Sequence, residues 1–322
     1  MPLGFVLHAR NRAHRPLPEA PLPRPDRFLM MTVALVLILI WGTTWAAIRI
    51  GLEGIPPFTG VALRFAIASA VLLVVAFLAR VPLGRSRLER RLWLVNTAFT
   101  FCASYGIVYW CEQYVPSGIT AVLFATFPLF VALLAHFTLP GERLTLRGGG
   151  GILLGFAGVG VIYSEDFASL GGAKVAVASA VMLASPVVSA LATVAVKRWG
   201  KDVHPLSISA VPMGLAAIIM AAVALATERD LPISFNATSL GALLYLALLG
   251  SAVSFSLWYW LLSHAAATRV SLISYLNPVV AVGVGVLLLR EPITLRILSG
   301  SALVVSGVAL AVHRRAIPPL AE

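Results

Sequence analysis

The chain has 322 residues, of which 59% are hydrophobic and 11% charged; its net charge is +11 and its mean hydropathy +0.93. An ordinary soluble domain is about 45–50% apolar and about 25% charged, so polar surface is too scarce here for a water-soluble protein of this size. Lipid has to be the solvent, and the placement of the positive charge must be weighed before it is taken as a nucleic-acid signal.

Residues 1–28 carry closely spaced prolines (Pro16, Pro18, Pro21, Pro23, Pro25) among arginines. That pattern excludes a helix and predicts a disordered basic tail. The first apolar run, from about Leu29 to Ile50, is long enough to cross a bilayer. It starts late, exceeds a signal h-region and lacks a cleavage site, so it should remain as a helix. Further spans are expected at roughly 57–79, 92–111, 116–138, 145–163, 173–196, 205–226, 238–262, 270–289 and 294–313, which makes ten, with 314–322 as a short tail. Backbone polar groups in hydrocarbon must be satisfied within the segment, so the spans are helices. The fold class is therefore an all-α integral membrane protein.

Most of the 24 Lys and Arg residues fall on one side of these spans. They include five in the N-terminal tail, then Arg80, Arg85, Arg87, Arg90 and Arg91, and later Arg143, Arg147, Lys197, Arg198, Lys201, Arg269, Arg314 and Arg315. Glu165, Asp166, Glu228 and Asp230 lie mostly opposite. By the positive-inside rule both termini are cytoplasmic. The charge thus reports topology, and no nucleic-acid partner is expected.

The chain also repeats itself. SYGIVYW (104–110) is answered by SFSLWYW (254–260), so Tyr109 falls on Tyr259 and Trp110 on Trp260. Pro128 falls on Pro278, Glu142 on Glu291, Thr145 on Thr294, Gly151 on Gly300 and Gly158 on Gly307. Each copy, 29–163 and 172–313, holds five spans, an odd number, so the second must enter the membrane from the opposite face. Two inverted halves around one central site imply alternating access.

The motifs WGTTWAAIRIG (41–51), PPFTGVALRF (56–65), FPLF…GERLT (127–145) and NPVV…REPIT (277–294) resemble the drug/metabolite transporter superfamily, specifically its ten-helix EamA-type members. The resemblance covers about 30–313 and is strongest toward amino-acid and metabolite exporters of the bacterial inner membrane. It implies a cavity between the halves lined by spans 1, 3, 4, 6, 8 and 9. The small multidrug relatives use a Glu in their first helix; here Val33 to Ile48 has none, and no Asp or Glu lies mid-span. Facilitated export, or coupling through a less obvious group, is therefore expected.

Candidate residues follow from spacing. Trp41, Thr44 and Trp45 share one face of the first span; that face serves helix packing or a cavity, and the resemblance implies the cavity. Tyr105 and Tyr109, with Phe255 and Tyr259, either join an aromatic belt at the interface or line the cavity, where their π-faces would suit an aromatic or cationic substrate. Trp110 and Trp260, near helix ends, fit an interfacial belt. Arg64 lies inside the second span, where an unpaired charge is costly, so it meets either a helix-end carbonyl or a substrate carboxylate. Its counterpart in the second copy is Pro212, so the site is asymmetric. Pro128 and Pro278 interrupt the fourth and ninth spans, as hinges or as fixed kinks, with Ser274 and Asn277 beside the second.

Glu142 and Glu291 are expected to cap helices or pair locally. Gly155, Gly158 and Gly160 offer small-residue helix packing. Cys102 and Cys111 are too far apart along one helix to bridge. No cofactor or metal motif is present, and a single chain is expected to suffice as a monomer. An intramembrane enzyme would need a catalytic dyad at membrane depth, and neither HExxH nor paired Asp occurs. A nucleotide-sugar or phosphorylated-metabolite carrier would need several cations inside the spans, and only Arg64 qualifies. An exporter of small metabolites, amino acids first and aromatic ones favoured, or of drug-like compounds, fits best.

Overall fold

Several helix starts are set by side-chain caps. Asp26 accepts the Leu29 N–H at 2.6 Å, so α1 runs Arg27–Leu52 and the tail ends two residues earlier than composition suggests. Ser86 accepts the Glu89 N–H at 3.0 Å, which starts the third helix at Arg87 and draws Arg87, Arg90 and Arg91 out of the expected loop into its first turns. This computed structural model describes residues 25–143, 145–163, 172–291 and 293–312. Residues 1–24 of the basic tail, Glu165, Asp166, Arg314, Arg315 and the 314–322 tail lie outside the described residues.

The helices are α1 (Arg27–Leu52), α2 (Pro57–Leu78), α3 (Arg87–Glu112), α4 (Ser117–Thr138), α5 (Leu146–Tyr163), α6 (Ala173–Trp199), α7 (Pro205–Thr227), α8 (Ala237–His264), α9 (Asn277–Leu289) and α10 (Leu295–Val312). Among the described residues there is no strand. Seven helices, α1 to α4 and α6 to α8, are long and apolar enough to cross a membrane; α5, α9 and α10 are shorter apolar helices.

Four helices are irregular at related positions, and α6 is also broken at Leu183, between Ala173–Met182 and Ala184–Trp199. α3 is π-helical over Asn96–Ser104 and α8 over Leu248–Val253. α4 is interrupted between Phe124 and Phe127, so Pro128 opens its second half. The ninth expected span is broken into a turn, Ala267–Val270, a 3-10 segment, Ser271–Tyr275, and α9, whose second residue is Pro278. A proline lacks an N–H and is tolerated in a first turn, which is where both prolines sit.

Packing is paired. α2 lies on α7, α5 on α10, α1 on α8 and α9, and α6 on α3 and α4. The α5–α10 seam depends on glycine: a Cβ on Gly158 would come 2.6 Å from the Val304 nitrogen and 2.7 Å from the Gly300 oxygen, and one on Gly307 would come 2.6 Å from the Gly151 oxygen. Gly160, expected at the same seam, instead has open space beside it. Gly307→Val should therefore force two backbones apart and cost about 1–3 kcal/mol by overpacking, while Gly160→Val should be nearly neutral. Thermal unfolding of the two purified variants in detergent checks this.

Candidate functional site

A cavity lies where the aromatic stripes meet. α1 contributes Trp41, Thr44, Trp45 and Ile48; α3 contributes Thr100, Ser104, Tyr105 and Val108; α8 contributes Phe255, Trp258 and Tyr259. Phe124 and Phe127 come from the α4 interruption, Ser189 and Thr193 from α6, and Ser274 and Asn277 from the break before α9. Arg64 reaches in from α2, a helix the family resemblance did not place at the cavity. Tyr109 does not line it; it is buried behind Arg64. Pro128 and Pro278 sit beside the lining residues Phe127 and Asn277.

The walls are ring against ring. Trp41 meets Phe255 at 5.6 Å and Trp258 at 5.2 Å, Trp45 meets Phe124 at 5.5 Å, and Tyr105 meets Phe255 at 5.9 Å, all tilted or edge-on as aromatic quadrupoles prefer. The space left open to water is about 80 Å³, enough for on the order of five waters at roughly 10–15 Å³ each.

Arg64 is 1% exposed. Its Nε donates to Ser251 Oγ at 2.7 Å, its Nη2 to the Gly250 carbonyl at 2.9 Å, and its Nη1 to Tyr109 Oη at 3.3 Å. The guanidinium also lies 4.7 Å from the Tyr105 ring centroid. Both Ser251 and Gly250 belong to the π-helical stretch of α8, a kind of irregularity that recurs at functional sites. A guanidinium has five N–H donors, and three protein acceptors leave it with donors to spare. Among the described residues the one ion pair is Arg229–Asp230 at the surface, so Arg64 has no carboxylate partner. Three more groups in the cavity wall are buried without a hydrogen-bond partner: Trp41 Nε1, Trp45 Nε1 and Asn277 Oδ1. The site therefore offers unused donors around a cation, one unused acceptor, and aromatic faces.

Each end of the cavity is fastened by a carboxylate and a cation. Glu291, just past α9, accepts the Ser117 and Gly118 N–H groups at the N-terminus of α4, at 2.7 and 3.0 Å. Arg49, in the last turn of α1, donates to the Glu112 carbonyl at the C-terminus of α3. The opposite end carries the same device. Glu142, just past α4, accepts the Ala267 and Thr268 N–H groups at 3.1 and 3.0 Å, and Lys197, near the end of α6, donates to the Leu262 and Ala265 carbonyls at 2.8 and 2.7 Å. Helix N-termini attract anions and C-termini cations, so each group satisfies orphaned backbone atoms. Glu142 and Glu291 thus cap helices of the other repeat.

Beyond Tyr259 lies a second cavity, lined among others by Lys197, Arg198, Lys201 and Leu262. Tyr259 borders both cavities and donates to Asn96 Oδ1 at 2.8 Å, which makes it the partition between them.

Ser189 and Thr193 escape notice when only the aromatics are followed. Shifted by the repeat offset that relates Arg64 to Pro212, Trp41 and Trp45 fall on these two residues, so the duplication itself carried the signal. Glu112 escapes because it closes its helix at the edge of the apolar run.

A bundle of apolar helices around a buried, asymmetrically charged cavity, latched at both ends, defines a multi-pass membrane transporter. The chain belongs to the EamA-like transporter family, which it matches twice, over residues 28–164 and 176–313. It is similar to an uncharacterized transporter, YoaV, of Bacillus subtilis (strain 168), 27% identical over 84% of this chain and 92% of that one. It is also 28% identical to a probable amino-acid metabolite efflux pump of Escherichia coli (strain K12), over 86% of this chain and 92% of the pump. A solved crystal structure shares the fold at a TM-score of 0.68, with 22% identity, over 89% of this chain and 97% of that one. Proteins of this family are transporters rather than enzymes, and membrane transport is what the chain does.

Proposed function

We propose that the protein exports small carboxylate-bearing metabolites, amino acids with aromatic side chains above all, across a bacterial inner membrane with both termini cytoplasmic. It does so as a monomer of ten spans in two inverted five-helix repeats, by alternating access to the cavity between them. The observation that carries the substrate reading is Arg64, a buried cation with unused N–H donors and no protein carboxylate. A substrate carboxylate would bind there and at the free Trp Nε1 groups, its ammonium would meet Asn277 Oδ1, and its side chain would sit among Trp41, Phe255 and Trp258. Among the described residues Arg64 is also the sole charged one lining the cavity, which fits a single carboxylate better than a nucleotide sugar's diphosphate.

Several features support the inverted arrangement. The packing pairs α1–α9 and α6–α4, and likewise α1–α8 and α6–α3, exchange when the repeats are exchanged. The Glu291–Arg49 and Glu142–Lys197 latches correspond in the same way and lie beyond opposite ends of α4. With Lys197, Arg198 and Lys201 on the cytoplasmic side, the second cavity is the entry vestibule and Tyr259 its partition. The Glu142 latch then closes the cytoplasmic face and the Glu291 latch the outer face. The breaks at Pro128 and Pro278 supply the hinges about which the halves of α4, and the segment before α9, reorient.

Counterflow tests this function. Proteoliposomes loaded with unlabelled L-phenylalanine should take up labelled L-phenylalanine, and external aromatic amino acids should compete. Phenethylamine, which lacks the carboxylate, should compete at least about tenfold less well, since a charge-assisted hydrogen bond is worth about 1.5–3 kcal/mol. Absence of exchange, or equal competition by phenethylamine, would remove the reading.

A further inference from the structure

Glu112 is the acid that the latches leave unused. It ends α3, is 0% exposed, and neither carboxylate oxygen has a hydrogen-bond partner among the described residues. Other buried acids all have one: Glu89 accepts from Ser207 Oγ, Glu142 from Ala267 and Thr268, and Glu228 from Phe58 and Thr59. The fold does not require a carboxylate at this place. By the repeat that aligns Tyr109 with Tyr259, Glu112 falls on Leu262, which is 2% exposed and packs the equivalent helix end.

The groups around Glu112 are few. Glu291 approaches from the segment after α9, Arg49 from α1 and Arg64 from α2. Arg49 Nη1 donates to the Glu112 backbone carbonyl and not to its carboxylate. Its own helix adds Tyr109 and Cys111, whose Sγ donates to the Ala178 carbonyl at 3.1 Å. The adjoining half of α6, Ala173–Met182, brings only Lys174, which is exposed. The first half of α4 brings no charge, but Ser117 Oγ is likewise buried without a partner. Tyr109 lies one turn before Glu112 and takes the hydrogen bond from Arg64, so Glu112 stands one residue removed from the cavity's cation.

We propose that Glu112 is a proton-binding site that couples transport, the proton moving in the same direction as the carboxylate substrate. The inference rests on the placement of the substrate carboxylate at Arg64. An ionised carboxylate buried without donors or water is the costly state of that side chain, and the protonated acid carries no charge. Arg64 needs one counter-ion whenever the cavity is shut off from water. On the empty leg of the cycle the ionised Glu112 neutralises it. On the loaded leg the substrate carboxylate does, and Glu112 carries a proton. The Arg64 charge is countered on both legs, while the substrate's ammonium leaves the loaded leg one positive charge richer, so transport moves net charge; by linkage each ligand favours the other's binding. The only bond made and broken is the O–H of Glu112, which takes its proton from water on the side where substrate loads and returns it to water on the other. Outward flow of an accumulated metabolite would carry protons out with it.

The test uses the full chain in proteoliposomes, with the membrane potential clamped at zero and L-phenylalanine as probe. One proton per substrate means that a pH difference of one unit sustains about a tenfold phenylalanine gradient, accumulated on the alkaline side. In Glu112→Gln and Glu112→Leu that ratio falls to one, whatever their absolute rates. Accumulation on the acid side, accumulation driven by sodium, no gradient in the wild type, or the same gradient in Glu112→Gln would each overturn the assignment. An infrared pH titration of the reconstituted protein separates this site from the substrate reading. A protonated-carboxyl band that titrates in the wild type and is missing in Glu112→Gln supports the site even if phenylalanine is not carried, and its presence in both proteins overturns it.

Discussion

Arg64→Lys is expected to weaken aromatic amino-acid binding by about 10- to 100-fold and to erase the preference for L-phenylalanine over phenethylamine. Lysine keeps the charge but loses the planar fork. The wild-type guanidinium spends three N–H groups on Ser251, Gly250 and Tyr109 and has donors to spare. A lysine ammonium has three donors in all; satisfying the same protein acceptors leaves nothing for a bidentate carboxylate. Each charge-assisted hydrogen bond lost is worth about 1.5–3 kcal/mol, which sets the range. Alanine is the weaker test, because removing a large buried side chain also opens a void and frees the Gly250 and Ser251 acceptors. Thermal-shift titration with both ligands distinguishes the outcomes. If Arg64→Lys still prefers phenylalanine by the wild-type factor, the carboxylate is held elsewhere.

How much of this was legible in the sequence depends on the kind of residue. Helix existence followed from apolar length, since hydrocarbon leaves no alternative, and the duplication was carried by Pro128/Pro278 and Glu142/Glu291, residues whose roles are local and directional. Helix starts were missed where a polar cap overrode the hydropathy edge, as Ser86 did for α3. The break before α9 was harder, because SLISYLNP mixes Ser271, Ser274 and Asn277 with apolar residues as a continuous span can, and Pro278 is its one strong helix breaker. For the cavity, stripe spacing found Trp41, Thr44, Trp45, Tyr105, Phe255 and Tyr259, because a helical face is periodic. It misplaced Tyr109, which shares the Tyr105 face by i, i+4 spacing but is buried with its hydroxyl against the Arg64 guanidinium, which lines the cavity in its place. Thr100 and Ser104 were lost because they lie in the π-helical stretch, where the register that straight-helix spacing assumes is shifted. Arg64 was left between a helix-end carbonyl and a substrate; its acceptor Gly250 is a π-stretch carbonyl whose existence no single-helix pattern reveals.

Glu291→Gln and Glu142→Gln should shift the carrier in opposite directions. Each carboxylate accepts two N–H groups at a helix N-terminus of the other repeat. A glutamine retains one acceptor oxygen and no charge, so it loses about one charge-assisted hydrogen bond, about 1.5–3 kcal/mol, and the helix-dipole attraction of about 0.3–1 kcal/mol. Summed, that is enough to change the balance between two states by roughly 20- to 1,000-fold. The latches sit beyond opposite ends of α4, so loosening one favours opening at that end alone. In a background with Cys102 and Cys111 replaced by alanine, a cysteine at Thr44 reports the cavity. Labelling by a membrane-impermeant maleimide added outside should rise in Glu291→Gln and fall in Glu142→Gln, and the double variant should return toward the wild type because both closed ends are weakened equally. Two equal structural caps with no part in gating would lower thermal stability in both variants and move labelling in neither. Opposite signs can arise only if the duplicated latches act at opposite membrane faces, which ties the outcome to the inverted arrangement as well as to the two carboxylates.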